Sequence, residues 1–179
     1  MYSNFLVRHK IKEIYSYDGP GLLKKQLNSH KYRSIEKKYK HIVPSNSIIG
    51  MMLYSKGHVV LKTNYVGILS HYALNWQVDE NDIVYDTLNK SSKELEKKLS
   101  MWIDKYSNKQ KEQFVKEMFD VFKKNKVYTL LDFMERPTAL IKILSDSGKV
   151  SKQTSVMFRQ FVSYIRKFLF QSVREKIIK

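Results

Sequence analysis

The segment IYSYDGPG, from Ile14 to Gly21, constrains the fold more than any other part of the chain. Its Ile and Tyr residues favour a β-strand, and Gly19, Pro20 and Gly21 favour a tight turn directly after it. The turn begins at Asp18, which places a carboxylate at the carboxyl end of a strand. Open α/β sheets hold their functional groups at this edge. Asp18 is therefore a candidate site residue, although aspartate also commonly caps a turn through its own side chain.

The composition limits the class of protein. The chain has 179 residues, of which 42% are hydrophobic, so it can bury a core as one domain with an added subdomain. The absence of cysteine excludes disulfides and cysteine-ligated metal, and it is typical of a reducing compartment, so we expect a cytoplasmic protein. No apolar stretch reaches the roughly 18–20 residues of a membrane span, and the first ten residues do not have the pattern of a signal peptide.

The net charge of +16 suggests a different class of function, a non-enzymatic binding module for nucleic acid or anionic surfaces. However, lysine outnumbers arginine 27 to 6, and arginine is the side chain suited to bidentate phosphate and base contacts. Lysines on solvated helix faces are a more ordinary source of such charge. Nucleic acid is therefore not the favoured partner. A steep loss of DNA affinity with rising salt would identify the alternative.

Two regions differ in their periodicity. Residues 1–88 carry the strand patterns, and residues 89–179 carry helical patterns. Strands are predicted at Ile11–Tyr17, His41–Val43 and Val59–Thr63, with short helical turns at Leu22–Leu27 and Ile35–Tyr39.

Four helices are predicted in the second region, starting near Ser91, Ser107, Pro137 and Ser151. The first two follow the capping-box pattern, with Glu94 and Gln110 three residues after the serine. The apolar residues of these helices recur at helical spacing, which is typical of a buried core stripe. In the second helix this predicted stripe consists of Phe114, Val115, Met118, Phe119 and Phe122.

Three motifs carry a resemblance to a known family. They are the DGPG turn, the segment SIIGMML from Ser47 to Leu53, and HVVLKTNYVGILSHYALNW from His58 to Trp76. In this order, and followed by helices, they resemble the C-terminal part of an uncharacterised bacterial family of lipase-like α/β-hydrolases, an Mbeg-like domain of unknown function. The resemblance implies an α/β fold. Residues 1–88 would form the C-terminal portion of an α/β-hydrolase sheet, and residues 89–179 a helical subdomain.

The resemblance also implies a serine ester hydrolase that works without metal or organic cofactor. In such enzymes a GxSxG elbow precedes the acid and the histidine in the chain. None of the six glycines here frames a serine in this way, and no cysteine replaces it. We therefore expect a truncated hydrolase that is inactive alone. An uncovered strand edge should then lead it to self-associate or to bind a missing N-terminal half in trans.

The candidate base is His71, because it follows the last predicted strand, as the triad histidine does in α/β-hydrolases. A hydrogen-bonded structural histidine packed beside Trp76 is the competing interpretation. The segment after it, Tyr72–Asn75, departs from the Asp-Pro-Phe of the family pattern. His9, His30 and His41 lie among basic or polar residues and are predicted to be surface histidines, and no histidine spacing predicts a metal site.

The candidate acid follows by elimination. Between Glu36 and Asp79 the sequence has no acidic residue, so the acids upstream of the histidine are Glu13, Asp18 and Glu36. Of these, only Asp18 lies at a strand end followed by a turn. The sequence therefore predicts that Asp18 and His71 lie in contact at the carboxyl edge of the sheet, with Asp18 orienting the imidazole.

Overall fold

The computed structural model describes residues 4–80, 82–129, 132 and 135–177, and these form a mixed α/β fold. The chain divides into two compact units. Unit 1 comprises Met1–Met101 and Ile165–Lys179, and unit 2 comprises Trp102–Tyr164. The limits of these units differ from the predicted boundary at residue 88, because both limits fall inside helices, Lys90–Asp104 and Lys152–Ile177, which contribute residues to both units. The assignment of the two predicted domains stays a prediction.

A three-stranded parallel sheet lies in unit 1. Its strands are β1 (Ile14–Tyr17), β2 (Tyr39–Pro44) and β3 (Val59–Leu61), in the order β1-β2-β3. All three predicted strands are confirmed, with ends that differ by at most three residues. Since β2 is the central strand, its last four residues are buried, as expected for a parallel strand that is covered on both faces.

The two edges of this sheet differ. Beyond β3, the backbone N–H groups of Lys62 and Asp86 donate to the carbonyl groups of Val84 and Val60, so this edge is partly covered. Among the described residues, no strand pairs with the other side of β1, whose Tyr15 and Tyr17 are exposed. The expected free strand edge is therefore present, and the self-association that it would cause stays a prediction.

Short elements connect the strands. The chain begins with α1 (Phe5–Lys10), and between β1 and β2 it forms α2 (Lys24–Leu27), α3 (His30–Arg33) and a 3-10 turn at Glu36–Lys38. After β3 come two further 3-10 turns, Gly67–His71 and Ala73–Asn75, and an antiparallel pair, β4 (Val78–Asp79) and β5 (Asp82–Ile83). This arrangement brings the turn after β1 and the turns after β3 to the carboxyl edge of the sheet.

The second half is helical, as predicted. The helices are α4 (Lys90–Asp104), α5 (Asn108–Lys124), α6 (Pro137–Asp146) and α7 (Lys152–Ile177). Among the described residues, no helix combines the length and the apolar character needed to cross a membrane.

One of the two predicted capping boxes is wrong. Helix α4 already includes Ser91, whose buried hydroxyl lies 2.8 Å from the Ser172 hydroxyl and donates to the Glu175 carboxylate. Tertiary partners have therefore replaced the local backbone N–H group as the hydrogen-bond partners of this hydroxyl. The second box is present, with Ser107 accepting from the Gln110 N–H and the Gln110 side chain accepting from the Ser107 N–H.

The predicted apolar stripe of α5 is partly wrong. Met118 and Val121 are buried, and Phe114 and Phe122 pack against the same cluster. Val115, in contrast, is half exposed, and Phe119 is slightly more than half exposed. The buried face follows the i, i+4, i+7 positions 114, 118 and 121, and Val115 and Phe119 lie to one side of it. The rest of the unit 2 core consists of Val127, Ala139, Ile143 and Phe158.

Replacing the capping serine should measurably weaken unit 2. We expect Ser107→Ala to lower the free energy of unfolding by about 1 kcal/mol, because the Gln110 N–H at the start of α5 loses its acceptor, the Ser107 hydroxyl. Ser107→Asp should preserve most of the stability, since its carboxylate also accepts at this position. Urea denaturation of the three proteins measures the difference, and equal midpoints for Ser107→Ala and wild type would contradict the capping role.

Candidate active site

Asp18 follows directly after β1 and begins the DGPG turn. Its φ angle is 47°, in the left-handed region that non-glycine residues rarely adopt and that aspartate tolerates better than most. Its N–H donates to the Ile42 carbonyl oxygen at 2.7 Å. This bond extends the β1–β2 pairing by one residue and turns the side chain inward, where it is 1% exposed.

The buried carboxylate has a full set of partners. Oδ1 accepts from the Ser47 hydroxyl at 2.5 Å and from the Gly50 N–H at 3.1 Å. Oδ2 lies 2.9 Å from Nδ1 of His71. The Ser47 hydroxyl oxygen also accepts from the Gly50 N–H at 2.8 Å, so these three residues form one closed network.

Gly50 is required by this close approach. A Cβ at this position would lie 2.5 Å from Asp18 Oδ1 and 2.5 Å from Val43 Cγ1. Ser47 and Gly50 were not predicted as site residues, although both lie in the motif that carries the resemblance. A serine and a glycine three residues apart, shortly after a strand, are the sequence pattern from which these two site residues could have been predicted.

His71 ends the 3-10 turn Gly67–His71, and its side chain is 32% exposed. The turn is fixed by the buried Ser70, whose hydroxyl donates to the Asn46 and Gly67 carbonyl oxygens and whose own carbonyl accepts from the Trp76 indole N–H at 2.8 Å. Trp76 thus stabilises the loop that carries the histidine.

The position of the His71 proton follows from its neighbour. An ionised carboxylate can only accept, so the contact with Asp18 places the proton of a neutral imidazole on Nδ1. Nε2 then keeps its lone pair. No described residue forms a hydrogen bond with Nε2, and the side chain is partly open to solvent. The predicted contact between Asp18 and His71 is confirmed, and their catalytic role stays a proposal.

Burial dominates the electrostatics of the acid. Desolvation raises the pKa of the Asp18 carboxyl above its ordinary value. The hydrogen bonds from Ser47, His71 and Gly50 act in the opposite direction and offset only part of this. The folded protein therefore holds the ionised carboxylate at a cost in stability.

This raised pKa predicts a pH-dependent effect of Asp18→Asn. A carboxyl whose pKa is higher in the folded state contributes stability below its unfolded pKa, and it loses that contribution as pH rises through the folded value. The free energy of unfolding of the variant minus that of wild type should therefore increase from about pH 4 to pH 7, which means that the variant gains in relative stability. Denaturant titrations at several pH values test this. If the free energy of unfolding of the variant instead decreases relative to wild type as pH rises, the carboxylate stabilises the fold.

The prediction that His41 lies at the surface is wrong. His41 is 2% exposed, and its Nε2 lies 2.7 Å from the Gly19 carbonyl oxygen. Burial lowers the pKa of its imidazole. Its basic sequence neighbours indicated a solvated position, but β2 is the central strand, and both of its faces are covered.

Within the described residues, no group of three or more histidine, aspartate or glutamate side chains could hold a metal ion.

The described part of the chain is thus a mixed α/β protein in which a buried aspartate contacts a partly exposed histidine at the carboxyl edge of a parallel sheet. A family model described as Mbeg1-like matches residues 1–120, so the chain belongs to the Mbeg1-like family. The match covers the sheet and both residues of the pair. Searches of the curated proteins and of the solved structures find no match.

Proposed function

We propose that Asp18 and His71 are the acid and the general base of a serine ester hydrolase of the α/β-hydrolase type. The observation that carries this proposal is the 2.9 Å contact between Asp18 Oδ2 and His71 Nδ1, made by a fully buried carboxylate and a partly exposed imidazole. In a triad the acid fixes the tautomer of the histidine and stabilises the imidazolium that forms during the reaction. The histidine takes the proton of the serine through its other nitrogen.

The placement of the two residues supports this assignment. Both follow strands of one parallel sheet, at the edge where α/β proteins bind their substrates. The acid precedes the histidine in the chain, as in α/β-hydrolases. Nε2 of His71 has its lone pair available for a serine hydroxyl.

The proposed site needs a serine nucleophile in addition to the pair. Ser47 is the serine in contact with the pair, but its hydroxyl is buried and donates to Asp18, so it cannot reach Nε2 of His71. No GxSxG motif is present. The free side of β1 offers the place for a further parallel strand, because the carboxyl end of such a strand would lie beside Asp18. A preceding or separate polypeptide that carries the serine can therefore complete the site there.

The surroundings of His71 favour an ester with an apolar acyl group. Ile68, Leu69 and Tyr72 are each about two-fifths exposed, and Leu74 is 90% exposed. All four lie on or beside the two 3-10 turns after β3. Exposed apolar side chains on the segment that carries the histidine are suited to bind an acyl chain.

The chain alone should not hydrolyse p-nitrophenyl esters above the background rate, because it supplies two of the three groups of the triad. Stopped assays with short and medium acyl chains measure this. Hydrolysis that disappears when any one serine of this chain is replaced would show that the nucleophile is present after all.

The direct test of the proposal adds a polypeptide that would supply the serine nucleophile. The chain is expressed together with the polypeptide encoded immediately upstream of Met1, and ester hydrolysis is measured with His71→Gln and, as a control, His30→Gln. We expect activity that is lost with His71→Gln and kept with His30→Gln, whose histidine is exposed on α3. An upstream sequence without GxSxG, or activity that survives His71→Gln, would contradict the proposal.

A further inference from the structure

A chain of hydrogen bonds connects helix α4 to the turn that holds Asp18. Glu96 Oε1 lies 3.0 Å from His58 Nε2, and His58 Nδ1 lies 3.2 Å from His41 Nδ1. His41 Nε2 lies 2.7 Å from the carbonyl oxygen of Gly19, the residue after Asp18. The two imidazoles are largely buried, with exposed fractions of 2% for His41 and 9% for the His58 side chain. These residues do not belong to the aspartate–histidine pair itself.

The protons of this chain can be assigned from its donors and acceptors. A carbonyl oxygen only accepts, so Nε2 of His41 carries a proton. Burial lowers the pKa of His41 and favours its neutral ring, in which Nδ1 keeps a lone pair. Two groups can donate to this lone pair: the Ser55 hydroxyl, whose oxygen lies 3.1 Å from Nδ1 of His41, and Nδ1 of His58. Since the Glu96 carboxylate only accepts, Nε2 of His58 carries a proton.

This assignment matters for the turn. With the other tautomer of His41, two acceptors would face each other at 2.7 Å and the contact with Gly19 would be repulsive. The turn depends on such contacts because Asp18 adopts a left-handed φ of 47°, which non-glycine residues disfavour. Its other restraints are the Asp18 N–H bond to Ile42 and the Gly21 N–H bond to the Met52 carbonyl oxygen at 2.8 Å.

We propose that His41, in its Nε2–H tautomer and flanked at Nδ1 by Ser55 and His58, is the positioning residue that keeps the Asp18 turn in place so that Asp18 meets His71. The catalytic meaning of this role rests on the proposed function. The positioning itself is a property of the chain alone and is measured without any hydrolysis.

The test compares His41→Met, which removes the donor, with His41→Gln, whose amide can donate to Gly19 from the same position. In His41→Met we expect amide hydrogen exchange at Asp18 and Gly21 to rise about fivefold to tenfold. We also expect the Nδ1–H signal of His71 in ¹⁵N-edited spectra to be lost. In His41→Gln both properties should remain as in wild type. His30→Met serves as a control for the loss of an exposed histidine.

A second variant keeps the turn residues and His41 intact. His58→Phe, made together with Ser55→Ala, removes both groups that can donate to Nδ1 of His41, so we expect a new population of His41 with its proton on Nδ1, together with faster exchange at Asp18. Unchanged exchange and an unchanged His71 signal in both His41→Met and the double variant would overturn the proposal, as would a His41→Gln variant that behaves like His41→Met. If these spectra agree with expectation while the completed protein hydrolyses no ester, only the hydrolase proposal fails.

Discussion

Gly50→Ala should lower the free energy of unfolding by about 3 kcal/mol, at the upper end of the usual cost of overpacking a core. The added Cβ would lie 2.5 Å from both Asp18 Oδ1 and Val43 Cγ1. Neither neighbour can move freely, because Val43 is fully buried in the central strand and Asp18 is held by its hydrogen bonds. The substitution should also break the contact between Asp18 and His71.

Gly57→Ala is the matched control. No atom lies within 4 Å of a Cβ built at Gly57, so this variant should unfold within about 0.5 kcal/mol of wild type. Chemical denaturation of the two variants measures the difference directly. Equal stability of Gly50→Ala and Gly57→Ala would show that the site is not packed as described.

Asp18→Asn should lower kcat of the completed hydrolase about 10⁴-fold, the size of effect seen when the acid of a serine triad becomes an amide. The physical reason is the tautomer. Oδ1 of the asparagine can still accept from Ser47 and Gly50, which leaves its NH₂ group facing Nδ1 of His71. Nδ1 must then accept, so the proton of the neutral imidazole moves to Nε2. Nε2 then has no lone pair with which to take the proton of the serine.

The same substitution should leave the fold intact, because it removes a buried charge and keeps the shape of the side chain. The measurement is therefore kcat together with the free energy of unfolding of each completed protein. A loss of activity of less than about tenfold would contradict the triad role. A loss that is matched by unfolding would instead assign Asp18 to stability.

The sequence predicts the part of the site that local patterns determine. A strand that ends in Asp-Gly-Pro-Gly places Asp18 by backbone preference alone, and the acid-free interval after Glu36 leaves few partners for His71. These two residues could therefore be named before the structure was known. The same holds for the helix start at Ser107, where the cap and its partner are three residues apart.

The sequence does not predict the part of the site that depends on tertiary packing. His41 has basic and polar neighbours in the chain, yet it is buried because β2 is central in the sheet. Ser91 has the pattern of a cap, yet its hydroxyl binds residues of α7 about 80 positions away. In both cases a partner distant in sequence determines the environment, and a local pattern carries no information about that partner.

The most direct test of the central claim is the tautomer of His71, read from the ¹⁵N shifts of its ring nitrogens at a pH on the alkaline side of the usual imidazole range. Our account predicts a proton on Nδ1 and a lone pair on Nε2 in the wild-type chain, and the reverse in Asp18→Asn. A wild-type His71 that carries its proton on Nε2, or a tautomer that does not change in Asp18→Asn, would contradict the assignment of the pair as acid and base.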